Sequence, residues 1–76
     1  MPFIHVRAYS GRDEETKKRT AQALAKAASG VMGAPEEAFT VAYEDVEREN
    51  WERDVVQQII EPLRGKVVMD HGKMVE

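Results

Sequence analysis

Cysteine is absent from the 76 residues of this sequence. Disulfide bonds, zinc sites built from thiolates and catalysis by a cysteine nucleophile are therefore excluded. Only His5 and His71 could offer imidazole to a metal, and they lie far apart in the chain. We therefore expect neither a metal site nor a cofactor. The lack of cysteine also fits the cytoplasm, where we expect the protein to work.

Long apolar runs and an excess of positive charge are missing as well. No apolar run approaches the roughly 20 residues that a membrane span needs, and no signal peptide precedes the first predicted strand. The formal net charge is −3, and basic residues are interleaved with acidic ones. We therefore predict a soluble, intracellular protein that binds neither membranes nor nucleic acid as its main ligand.

The short chain predicts a single domain spanning residues 1–76. A domain of this size buries only about 60% of its unfolded surface, and its core seldom contributes more than about 3–5 kcal/mol. Small domains are usually supported by disulfides, a metal or assembly with other chains. Because the first two are not expected here, we predict a homo-oligomer.

The first dozen residues predict a β-strand with a proline at its head and Gly11-Arg12 at its tail. Its side chains alternate between one apolar side and one mixed side (Ile4, Val6 and Ala8; Phe3, His5, Arg7 and Tyr9). A proline that begins a strand loses no ladder hydrogen bond, which is sufficient reason for Pro2. If Met1 is removed, however, Pro2 carries a free secondary amine, which is both a base and a nucleophile.

The chemistry of such an amine suits a general base. An α-amino group titrates near ~7.7–8.0 in water, and burial or a nearby arginine lowers its pKa. A general base works best when its pKa lies near the working pH. From Pro2 alone, the structural and the catalytic interpretation both stay open.

A helix is predicted next, with Asp13 as its N-cap and Gly33 just beyond its last turn. Its apolar residues recur at helical spacing (Ala21, Leu24, Ala25, Ala28, Val31 and Met32), and the charged run from Asp13 to Arg19 is most simply a solvated face. A second alternating strand covers residues 39–46. Strand, helix and strand predict parallel strands joined by a right-handed crossover, in the α/β (α+β) class.

The remaining third of the chain predicts a second helix and a hairpin. Trp51, Val55, Ile59 and Leu63 recur every four residues, and Pro62 should end or kink this helix near Ile60. Residues 66–75 then predict a small hairpin with a glycine-containing turn, or otherwise an extended tail.

A site that uses Pro2 requires two chains. The first strand separates Pro2 from Arg12 by more than about 20 Å. A two-fold dimer with antiparallel first strands would bring Pro2 to Arg12 and Trp51 of the partner subunit. Thr40, at the start of the second strand, should lie near Pro2 of its own chain. The predicted pocket combines a base, a guanidinium for a carboxylate and an aromatic wall.

This arrangement resembles the 4-oxalocrotonate tautomerase family over residues 2 to about 51. The signature is Pro2 behind the initiator methionine, a short strand, Gly11-Arg12 before an amphipathic helix, a turn with Ala34-Pro35, a second strand and an aromatic residue at Trp51. The resemblance implies a β-α-β tautomerase fold, dimeric or hexameric, whose N-terminal proline moves a proton in an enol or keto acid.

The resemblance also implies roles for individual residues. Pro2 would be the general base, Arg12 would bind a carboxylate or oxyanion, Trp51 would replace the family's usual aromatic wall, and Tyr9 is a further pocket candidate. Thr40 stands where the type member has a second arginine, which removes one anchor for a dicarboxylate. The longer C-terminal segment resembles the dimeric branch, so a dimer is favoured over a hexamer.

Two alternative functions remain open from the sequence. One is an oligomeric α/β binding module without catalysis, which explains the apolar helices equally well but gives no reason for Pro2, Arg12 and Trp51 to converge. The other keeps the fold and makes the reaction a dehalogenation or another hydration. Residues that would activate water for the second alternative are not identifiable in the sequence.

Overall fold

A parallel pair of strands with one helix between them forms the first part of the chain. A computed structural model describes all of residues 1–76. Strand β1 covers Phe3–Tyr9, helix α1 covers Glu14–Met32, and strand β2 covers Thr40–Val46. The two strands are neighbours in one two-stranded sheet and run parallel. This order confirms the predicted β-α-β fold.

Both ends of α1 are fixed by the residues that the sequence predicts. At the N-terminus, the Asp13 side chain accepts a hydrogen bond of 2.8 Å from the Thr16 N–H. At the C-terminus, Gly33 adopts a left-handed φ of 77°, and its N–H donates to the Ser29 carbonyl at 3.0 Å. An L-residue adopts that φ only with strain, so glycine suits this position.

The chain buries few side chains deeply. Val46 and Val55 are the only buried apolar residues, with exposed fractions of 7% and 6%. The apolar stripe of α1 is half-buried along its middle, whereas Val31 and Met32 at its end remain exposed. Such a thin core supports the expectation of assembly with other chains, and the number of chains stays a prediction.

Residues 1–45 and residues 46–76 form two compact units. The second unit contains single 3₁₀ turns at Arg48–Asn50 and Arg64–Lys66, a π-helix at Glu52–Ile60, and a hairpin. The single domain over residues 1–76 therefore stays a prediction. None of the chain's helices has the length and apolar content needed to cross a membrane.

The predicted second helix is present, but it is wound more widely than an α-helix. The N–H of Glu61 donates to the carbonyl of Val56, five residues earlier, at 2.9 Å. A bond to the fifth residue back defines the wider turn of a π-helix. The π-helix ends at Ile60, two residues before Pro62, as predicted.

The C-terminal segment is a hairpin rather than an extended tail. Strand β3 covers Met69–Asp70 and strand β4 covers Lys73–Met74, and the two pair antiparallel. The turn residues His71 and Gly72 have φ values of 50° and 78°. Positive φ at both central residues is what a two-residue turn of type I′ requires.

Candidate active site

The head of β1 lies against the start of β2. Pro2 directly precedes β1 and is half-buried, and its carbonyl accepts a hydrogen bond of 3.1 Å from the Thr40 N–H. Proline has no N–H, so its place at the head of the strand leaves no ladder donor unpaired. This hydrogen bond fixes Pro2 relative to β2 and brings Pro2 and Thr40, two of the predicted site residues, together.

The surroundings of Pro2 include apolar surface that the chain itself leaves uncovered. Phe3 is 62% exposed. Its ring lies 5.9 Å from the ring of His5, between centroids, and the two planes are tilted by 42°. A substrate or a second chain could cover this surface, and either would lower the polarity around Pro2.

The tail of β1 carries the second pair of predicted site residues. Arg12 is exposed, and its Nη1 donates a hydrogen bond of 3.2 Å to the carbonyl oxygen of Tyr9. Tyr9 is the last residue of β1, and its side chain lies at the surface. This hydrogen bond holds the Arg12 guanidinium beside the end of β1.

The length of β1 keeps the two pairs apart within one chain. Seven residues from Phe3 to Tyr9 form the strand, which spans roughly 23 Å at the rise of extended backbone. The structure therefore brings Pro2 together with Thr40, and Tyr9 together with Arg12. It does not bring Pro2 to Arg12 of the same chain.

Trp51 belongs to the second compact unit. It is half-buried and lies between the 3₁₀ turn and the π-helix, with its backbone N–H donating to the Arg48 carbonyl. Trp51 therefore has a defined place at the start of this helix, and its role in a site stays a prediction.

Comparison with known proteins decides the family. The chain matches the family model described as tautomerase enzyme over residues 2–59. It is 37% identical over 51 residues to a probable tautomerase of Bacillus cereus and to one of Bacillus anthracis, which is 67% of this chain and 84% of each relative. The chain belongs to the tautomerase family. No solved structure matches it significantly.

Family membership supports tautomerase activity, and thus an isomerase, as the general function. The matched residues 2–59 include all five predicted site residues, and the hairpin lies beyond them. The match confirms the resemblance that the sequence suggested. The roles of individual residues stay predictions.

Sequence reasoning did not find a charged cluster on the sheet of this tautomerase. His5 Nε2 pairs with the Glu44 carboxylate, and Arg7 Nη2 lies 3.5 Å from the same oxygen, Oε1. The alternation of β1 already places His5 and Arg7 on one side of the strand. Glu44 could have been added from the alternation of β2, since neighbouring parallel strands present their side chains on shared faces.

The prediction that the charged run from Asp13 to Arg19 is simply a solvated face is wrong at Lys17, which belongs to a second charged cluster. The side chain of Lys17 is only 17% exposed and pairs with Asp45 at 2.5 Å and with Glu14 at 3.3 Å. Its Nζ also lies 5.9 Å from the centre of the Tyr43 ring. The hydrogen bond to Asp45 raises the pKa of Lys17, with burial opposing and Glu14 adding to the rise. Lys17 therefore ties α1 to β2.

Proposed function

We propose that this protein is a keto–enol tautomerase that moves a proton within an enol or keto acid. In this proposal the Pro2 amine is the general base, and Arg12 of the partner subunit binds the substrate carboxylate or the developing oxyanion. The family match over residues 2–59 supports the reaction class. The observation that carries the residue roles is that β1 has Pro2 at one end and Arg12 at the other.

The proposed active form is a cytoplasmic homodimer. Antiparallel pairing of two β1 strands would place the head of each strand beside the tail of the other, so that two equivalent pockets form. The thin core and the exposed Phe3 support assembly, because both leave apolar surface for a second chain to cover. The same two-fold axis gives each pocket residues from both subunits.

The proposed reaction needs a neutral amine. While Met1 is attached, the Pro2 nitrogen is part of a peptide bond and cannot take up a proton. After Met1 is removed, the amine takes a proton from the substrate, the guanidinium stabilises the enolate charge, and the proton returns at another atom of the same molecule. The amine ends the cycle unprotonated, so the step is balanced without a co-reactant.

Thr40, Tyr9 and Trp51 complete the proposed pocket. Thr40 offers one neutral hydrogen bond near Pro2, which is weaker than a bidentate ion pair. We therefore favour substrates with a single carboxylate over dicarboxylates. The side chain of Tyr9 would line the pocket beside Arg12, and Trp51 would form an apolar wall that excludes water.

Mixing two impaired variants tests the proposal directly. With phenylpyruvate as substrate, Pro2→Ala and Arg12→Ala should each lower kcat/KM by a factor of about 10² or more, although the primary amine of Pro2→Ala leaves partial activity. Unfolding and refolding the two variants together should restore about a quarter of wild-type activity, because half of the dimers then hold one intact pocket out of two.

The controls separate the parts of this proposal. Arg19→Ala removes another exposed arginine just beyond the first turn of α1 and should leave activity unchanged. Intact mass must show the loss of about 131 Da for Met1 in the active protein. Wild-type activity in both single variants would refute the proposed roles of Pro2 and Arg12, and a wild-type protein that does not act on enol or keto acids would refute the proposed function. A mixture no more active than its components would refute the shared pocket.

A further inference from the structure

The link between β1 and α1 has an unusual backbone conformation at Gly11. Its φ is +131°, in the region that L-residues rarely adopt. A Cβ built at Gly11 would meet no atom within 4 Å, so space does not explain the glycine. What this position requires is the backbone angle alone, which glycine reaches without steric cost.

The residues on both sides of Gly11 are already fixed. Tyr9 ends β1, and Asp13 is held in extended geometry as the N-cap of α1 by its bond to the Thr16 N–H. The chain must therefore turn between these two anchors, and the positive φ lies in that turn. The result is that Arg12, three residues after Tyr9, folds its guanidinium back to the Tyr9 carbonyl at 3.2 Å.

The contact between Arg12 and Tyr9 limits the motion of an exposed and flexible side chain. One guanidinium N–H donates to a carbonyl at the end of a strand, and the remaining donors stay available for a carboxylate. A binding group held on a rigid element loses less freedom when a ligand arrives. We infer that Gly11 is a positioning residue that orders the Arg12 guanidinium for carboxylate binding; this rests on the role proposed above for Arg12.

Alanine of either handedness at Gly11 provides the test, because total synthesis can place L- or D-alanine there. The two variants add the same methyl group, but a D-residue accepts a φ near +131° as readily as an L-residue accepts the mirror value. We expect Gly11→Ala made with L-alanine to weaken binding of phenylpropionate and raise KM by about tenfold, and the D-alanine form to stay within about twofold of wild type.

Relaxation of the Arg12 Nε–H group measures the ordering itself, independently of catalysis. It should report a more mobile guanidinium in the L-alanine form than in the D-alanine form or the wild type. Gly30→Ala, inside α1 with equally open space, is the matched control and should behave as wild type. If the L-alanine form does not fold, the wild type still tests the ordering, because an Arg12 guanidinium as mobile as that of the exposed Arg19 would overturn the inference.

The outcomes separate this inference from the proposed function. Equal losses with L- and D-alanine would mean that the methyl group matters rather than the backbone angle, and would overturn the inference. No loss with either form would overturn it as well. If Arg12→Ala binds phenylpropionate as tightly as wild type, the proposed role of Arg12 fails, whereas the relaxation measurement still shows whether Gly11 orders its side chain.

Discussion

Residues 1–45 and residues 46–76 are built from elements of different length. The first unit has a strand of seven residues and a helix of 19, whose ends are fixed by Asp13 and Gly33. In the second unit the longest element is a π-helix of nine residues that begins without a side-chain cap, and β3 and β4 have two residues each. Local signals therefore define the first unit much more fully than the second.

The candidate site is divided between the units just as unevenly. Pro2, Tyr9, Arg12 and Thr40 lie in the first unit, and Trp51 alone lies in the second. The family match ends at residue 59, before the hairpin begins. Most of the residues proposed for the site therefore lie in the first unit, and a substitution at Trp51 tests its proposed role.

Trp51→Ala should have the largest effect of the substitutions that compare the two units. Loss of the aromatic wall would let water reach the pocket, and we expect kcat/KM for phenylpyruvate to fall by about 10- to 100-fold. Trp51→Phe keeps an aromatic ring and should lose much less. Steady-state kinetics at fixed protein concentration measure both, with circular dichroism to confirm the fold.

Leu63→Ala is the matched control, because Leu63 continues the same every-fourth pattern and is 47% exposed. It should leave kcat/KM unchanged. Equal losses in Trp51→Ala and Leu63→Ala would show that the second unit supports activity through its fold as a whole. An unchanged kcat/KM in Trp51→Ala would show that Trp51 does not contribute to the site.

Sequence signals that act within a few residues predicted the structure best. Asp13 as N-cap, Gly33 after α1 and the helix end before Pro62 each depend on one residue and its nearest neighbours. The pairing of Lys17 with Asp45 depends instead on how α1 lies on β2, which no local pattern contains. The spacing of four predicts the second helix but does not specify whether it is an α-helix or a π-helix.

In the candidate site, too, the sequence predicts contacts set by local or strand order but not those that depend on tertiary or quaternary packing. The contact between Pro2 and Thr40 follows from parallel strand order, so the sequence could predict it. The contact between Arg12 and the Tyr9 carbonyl depends on the backbone angle at Gly11, which a glycine permits without specifying. The proposed approach of Pro2 to Arg12 involves a second chain, and a single sequence holds no direct record of that surface.

Substitutions at two glycines, one in each unit, compare how strongly the backbone conformation restricts the choice of residue, and their expected effects on stability are smaller. Gly33→Ala, at a φ of 77° after α1, should lower the free energy of unfolding by about 1–2 kcal/mol, because an L-residue is strained there. Gly65→Ala, in the 3₁₀ turn Arg64–Lys66, has open space and no positive φ. It should be neutral or should stabilise by up to about 1 kcal/mol.

Urea unfolding at one fixed protein concentration compares the two glycine variants, since concentration affects the stability of an oligomer. Equal destabilisation in both would show that the turn in the second unit is as tightly specified as the end of α1. The backbone of the two units would then be equally restricted at these positions.

The smallest expected effect is a pH dependence confined to the start of α1. Hydrogen bonds from Thr16 lower the pKa of Asp13 below its ordinary value. Because the folded pKa is the lower one, the ionised cap stabilises the fold above the unfolded pKa of about 3.9, and this contribution disappears as the pH falls through the folded pKa. The π-helix has no side-chain cap to titrate in this way.

Asp13→Asn separates the cap from its charge, because asparagine accepts the same hydrogen bond but does not titrate. The wild type should melt at a higher temperature than Asp13→Asn at neutral pH, and the two should converge in acid. The Thr16 amide chemical shift should titrate in the wild type alone, while the Val55 amide behaves alike in both proteins. A constant difference in melting temperature across the acid range would mean that Asp13 acts through its shape rather than its charge.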